Sequence, residues 1–182
     1  MHAWAHLIHN GSQMINNMMI YHMFYIYIYN IYTYIFMIMH ANYAGEKFPP
    51  LAVELDTCMN KNQNDPDDNH IGIDIESTES DPAESLSNIG IDLKSGREIQ
   101  VQIYYDALIN VLSVSAAYLG EPLRKLIERR IVLSEIIPSS VFIGFTAATG
   151  DFAESHQLLK WTFSSFPLVA SSLKKENLKM PL

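Results

Sequence analysis

A chain of 182 residues is long enough for one domain with a real core and too short for two large ones. Its net charge of −8 excludes the basic face that nucleic-acid binding requires. The single cysteine, Cys58, excludes an internal disulfide and leaves export open.

Composition changes sharply near residue 46. Residues 1–45 contain no Asp, Glu, Lys or Arg, yet hold seven of the nine Met, seven of the ten Tyr and five of the seven His. The run 18–39 is low-complexity, with Ile and Tyr alternating over 25–29. Three readings compete. The run is long enough to span a bilayer, giving membrane association through 18–39, but its Tyr, His and Asn and its lack of charged flanks fit poorly. A signal peptide needs a basic start and a small-residue cleavage site, and neither is evident. The third reading is a non-native start, because these residue types share AT-rich codons. On any of them, 18–39 is expected to pack poorly against residues 51–166. The sequon at Asn10 matters only if this terminus is real and exported.

From Glu46 the chain reads as strands. Residues 51–57 alternate, with Leu51, Val53 and Leu55 on one face and Glu54 and Asp56 on the other. Residues 70–75 repeat the pattern through Ile71, Ile73 and Ile75. Strands are also expected at 89–93, 98–106, 110–118, 130–133, 140–148 and 156–166, with a turn at Ser95-Gly96. Residues 121–130 have a helix-like composition but lead into an alternating run, and 133–138 predicts one helical turn. Strands at this spacing without long helices predict an all-β antiparallel sandwich or jelly roll. The expected organisation is an apolar segment 1–45, a domain over 46–168 and a tail over 169–182.

One segment carries chemistry. Glu54 and Asp56 are two apart on a strand, so both carboxylates face one way. Asn60 and Asp65 follow in a loop able to fold back, and His70 opens the next strand. Oxygen ligands suit calcium, and a set with an imidazole suits manganese or another transition metal. Two ions could share Asp56 and Asp65; with none, the acids repel one another. A solvated acidic loop is the plain alternative for the bare cluster, as a structural histidine is for His70.

The ordered set Glu-x-Asp-x-x-x-Asn, Asp-Pro, His-x-Gly-x-Asp over 54–74 resembles the legume-type (L-type) lectin family, and residues 144–165 are similar to its last strands and specificity loop. The resemblance covers 51–166 and implies a legume-lectin β-sandwich, here incomplete, that binds carbohydrate and is not an enzyme. It implies a transition-metal site of Glu54, Asp56, Asp65 and His70, with Ser80 acting through water. It implies a calcium site of Asp56, Asp65, Asn60 and the carbonyl of Cys58. Asn60 would then donate to a sugar hydroxyl, and the amides of Asp151 and Phe152 would select the sugar. A homodimer and an extracellular or membrane-associated location are further implications.

Three departures count against sugar binding. Where the family stacks an aromatic ring on the sugar, this chain has Cys58. The family's accepting Asp from an earlier loop has no counterpart, because the first Asp here is Asp56. Residues 1–45 also do not resemble the family's first half. The alternative is a truncated relative of lectin receptor kinases acting as an interaction module; no Gly-rich kinase loop is present. A jelly-roll glycosidase would need a second Glu at position 58 beside Glu54.

Overall fold

The computed structural model describes residues 5–8, 20–29, 33–40, 51–77, 79–137, 141–147 and 157–167. Eleven strands lie in them: β1 (Ala5–Ile8), β2 (Ile20–Tyr29), β3 (Thr33–His40), β4 (Leu51–Asp56), β5 (His70–Asp74), β6 (Ala83–Ser85), β7 (Ile99–Asp106), β8 (Val111–Tyr118), β9 (Arg124–Arg130), β10 (Val141–Ala147) and β11 (Gln157–Pro167). They form a six-stranded sheet, β1-β10-β3-β4-β5-β6, and a five-stranded sheet, β11-β2-β7-β8-β9, with antiparallel neighbours throughout. The all-β antiparallel fold is as expected.

Alternation decides which faces meet. On β7 the odd positions Ile99, Val101, Ile103 and Tyr105 are buried while the even ones are half-buried. They share one core with Leu112, Val114 and Ala116 of β8 and with Leu51, Val53, Leu55, Ile71 and Ile73 from the other sheet. Phe145 of β10 meets Trp161 of β11 edge-on, with centroids 5.4 Å apart and an interplanar angle of 72°, so an aromatic pair bridges the sheets.

The run 18–39 departs from expectation. Residues 20–29 pair with β7 on one side and β11 on the other, and 33–40 lie between β4 and β10. Both are interior strands. The period-two alternation within the run and its freedom from charge, Pro and Gly are what an interior strand requires; apolar length alone favours a bilayer. Among the described residues no helix is long and apolar enough to cross a membrane.

Two strands expected from the sequence are not formed. Residues 89–93 lie between two 3-10 turns, Leu86–Ile89 and Leu93–Ser95, with Ile91 and Leu93 still buried. Their backbone bonds to the Asn69 side chain instead of a strand: Asn69 donates to Ile91 O at 2.8 Å and accepts from Leu93 N at 2.9 Å. Gly90, at φ +68, closes the first turn in a conformation costly for other residues. Residues 130–133 leave β9 for a helical turn, α1 (Leu133–Ile136), which the sequence did predict. The helix-like 124–130 is wholly strand, paired to β8 with Ile127 buried, so tertiary pairing overrides its propensity.

A chain shortened to residues 47–168 would lose β1 and the two interior strands β2 and β3, leaving β10 and β11 without a partner strand and β4 and β7 with an unpaired edge. It should show no cooperative thermal transition by circular dichroism, whereas the full chain should. A sharp reversible melt of the shortened chain would contradict this strand order.

Candidate metal centre

Antiparallel register assembles the site. The β4–β5 ladder sets Asp56 opposite His70, Glu54 opposite Gly72 and Ala52 opposite Asp74. Glu54 and Asp56 therefore share a face with His70 and Asp74. The intervening loop returns through a 3-10 turn, Lys61–Gln63, and a left-handed Asn64 at φ 60. Two bonds fasten it: Asn60 N donates to Asp65 Oδ2 at 2.6 Å, and Cys58 N donates to Asp56 Oδ1 at 2.7 Å.

Ligating atoms of Asp56, Asp65 and His70 all lie within 4.8 Å of one another. Asp65 Oδ1 is 3.6 Å from His70 Nε2. The imidazole is fully buried, and its Nδ1 lies 2.8 Å from the carbonyl oxygen of Asp67. A carbonyl only accepts, so Nδ1 carries the proton, and in the neutral ring Nε2 keeps its lone pair. That buried Nε2 has no hydrogen-bond partner. An orphaned acceptor beside carboxylates is costly unless a cation completes it. The donor set of carboxylate oxygens plus one imidazole nitrogen fits a transition metal.

Glu54 and Ser80 lie behind this trio. Ser80 Oγ donates to Asp74 Oδ1 and lies 3.4 Å from Glu54 Oε2. Residue 72 must be glycine for this, because a Cβ there would collide with Ser80 Oγ and Cβ. Burial, and then the charges of Asp74, Asp56 and Asp65, push the Glu54 carboxyl up to about 9. Burial likewise raises Asp74 to about 6, against the lowering effect of the Ser80 hydrogen bond. Asp74 is the residue that sequence reasoning missed. Its parity with His70 and Gly72 on β5 was the available signal.

Of the residues expected in the site, Asp56, Asp65 and His70 come together, with Glu54 and Ser80 adjoining. Asn60 and Cys58 stand at the loop's outer side, where Asn60 Nδ2 lies 3.5 Å from Cys58 O and Cys58 is exposed. Asp151 and Phe152 lie outside the described residues.

Comparison with known proteins identifies the family and agrees with the fold. The sequence matches the legume lectin domain over residues 33–180. The chain belongs to the legume lectin family. That match begins within the charge-free run, at the first residue of β3. The chain is similar to the L-type lectin-domain containing receptor kinase I.8 of Arabidopsis thaliana, at 45% identity over 123 residues, covering 62% of this chain and 18% of that protein. It thus spans under a fifth of that relative's length. Among solved structures, lectin UEA-II complexed with galactose superposes with a TM-score of 0.74 at 22% identity, covering 91% of this chain and 82% of that one. Basic winged bean lectin with Tn-antigen gives 0.72 at 26%, covering 87% and 77%.

The buried acids make the metal-free lectin fold pH-sensitive. Glu54, raised from 4.5 to about 9, holds a proton in the folded chain at pH values where the unfolded chain has released it. Folded stability without metal should therefore fall as pH climbs through that interval, and Asp74 acts in the same direction. Melting temperatures in chelator at pH 5.5, 7 and 8.5 should decrease in that order. A rise across the series would contradict the buried, charge-crowded state of Glu54.

Proposed function

We propose that this chain is a carbohydrate-recognition module whose sugar-facing loop is ordered by a calcium and manganese pair. The observation that carries the reading is the orphaned Nε2 of His70 facing Asp65 and Asp56 in a legume lectin fold. Glu54, Asp56, Asp65 and His70 would hold the transition metal, with Ser80 acting through water. Asp56, Asp65, Asn60 and the Cys58 carbonyl would hold calcium. The ions supply positive charge that offsets the crowded carboxylates, so ligand binding stabilises only the folded loop. Asn60 and the amides of Asp151 and Phe152 would contact sugar. UEA-II carries galactose, and a glycan is the partner class proposed here, met outside the cell or at its surface. A homodimer formed through sheet edges is compatible with this. The module is a binder and not an enzyme: position 58, where a glycosidase of this architecture would need its second carboxylate, is cysteine.

Sugar affinity is the weak part of this chain. Cys58 is exposed where the family presents a stacking ring, and no residue before Asp56 is an Asp. Losing one hydrogen bond to a charged acceptor costs about 1.5–3 kcal/mol. At about 1.4 kcal/mol per tenfold, that alone carries a millimolar binder past easy detection. The alternative reading is a truncated relative of the lectin receptor kinases that acts as an interaction module, and the 45% identity to such a kinase favours it as the second choice.

Two measurements check this reading. Calcium plus manganese should raise the melting temperature of the full chain by several degrees and leave Asp56→Ala unchanged, because Asp56 serves both ions; an equal rise in the variant would remove the two-ion assignment. Calorimetric titration of the metal-loaded chain with free monosaccharides should give no measurable heat of binding, and Cys58→Phe should restore part of the affinity. Clear calcium-dependent binding by the unaltered chain would show that the missing ring and carboxylate are dispensable.

A further inference from the structure

The neighbourhood of His70 contains a device that none of the proposed ligands accounts for. Asp67 offers two different groups to two different neighbours. Its backbone carbonyl takes the Nδ1 proton of His70 at 2.8 Å. Its carboxylate accepts from Asn69 N at 2.9 Å and, through the other oxygen, from the hydroxyl of Ser85. Ser85 is the register partner of His70 on β6. The peptide that orients the imidazole is thus clamped by its own side chain.

The clamp continues into the core. Asn69 is buried, and beyond its bonds to Ile91 and Leu93 its side-chain amide donates to Ser87 Oγ at 3.0 Å. Its backbone carbonyl accepts from Leu86 N at 2.9 Å. The segment 67–69 therefore has little freedom to rotate its carbonyl away from the ring. The loop carries fastenings of its own, from Cys58 N to Asp56 Oδ1 and from Asn60 N to Asp65 Oδ2.

We propose that Asp67 is the positioning residue of the transition-metal half of the site: it fixes the His70 tautomer that leaves Nε2 as the lone-pair donor facing Asp65. The proposal rests on the metal-loop reading above. Hydrogen bonds to the far nitrogen of a metal-binding histidine set ring orientation and basicity, and their loss typically costs about 10–100-fold in affinity. The carboxylate acts through its geometry. Asp67→Asn keeps an acceptor oxygen for Asn69 N, and its amide can still pair with Ser85. Asp67→Ala removes both bonds.

The test uses the full chain with cobalt(II) alone as probe, and reads affinity from the visible cobalt band together with the ring 15N shifts of His70 in the metal-free protein. The parent should bind cobalt and show the Nδ1–H tautomer. Asp67→Ala should bind about 10–100-fold more weakly and show mixed tautomers, while Asp67→Asn should stay close to the parent in both. Ser85→Ala should fall between them and keeps the loop's other anchors, so the test survives if Asp67→Ala fails to fold. Asp67→Ala or Ser85→Ala matching the parent in affinity and tautomer would overturn the role of Asp67 while leaving the metal site intact. No cobalt binding by the parent would overturn both the site and this inference.

Discussion

Four carboxylates and one imidazole crowd the β4–β5 face, with almost no water to screen them. Glu54, Asp56, Asp65 and Asp74 are all largely withdrawn from solvent around His70. Like charges at such distances in a medium of low polarity repel by several kcal/mol per pair at an effective dielectric of about 20. Two responses are open to the chain. It can keep protons on some of the acids, as the raised Glu54 and Asp74 carboxyls indicate, or it can admit cations. The orphaned Nε2 of His70 distinguishes between them. A proton on Glu54 or Asp74 leaves the His70 lone pair without a partner, because the carboxylate beside Nε2 is that of Asp65, 3.6 Å away, whereas a cation satisfies nitrogen and oxygen together.

The rest of the fold serves that face. β3 and β5 flank β4, so the acidic strand is interior and its position is fixed by pairing on both sides. Gly72 lets Ser80 settle over the sheet beside Glu54 and Asp74. Asn69 ties the returning loop to the segment 86–93, and Lys94 adds a bond to the carbonyl of Asp68 at 3.0 Å. The hydrophobic core between the sheets supplies the stiffness, and the polar ties carry it to the loop.

How much of this could be read from the sequence depends on locality. Glu54, Asp56, Asp65 and His70 lie within one strand-loop-strand unit, so spacing and strand parity place them together. Asp74 shares strand parity with His70 and Gly72, but its role depends on Ser80, which lies against Gly72 from outside the strand. Residues 89–93 alternate like a strand, yet a distant asparagine captures their backbone, which no local pattern reveals. The low-complexity run 18–39 stands apart by its composition, and that same composition suits β2 and β3, each flanked on both sides. Cys58 was legible at once as a departure, since a ring and a thiol cannot make the same contact with a sugar face.

The central claim is that His70 Nε2 is a ligand waiting for its metal. Manganese(II) bound to the full chain can be examined by pulsed electron paramagnetic resonance, which detects hyperfine coupling to a directly bound nitrogen. The account predicts coupling to a single imidazole nitrogen, lost when His70 is replaced by Gln. Manganese bound with oxygen ligands only, or coupling that survives His70→Gln, would contradict it.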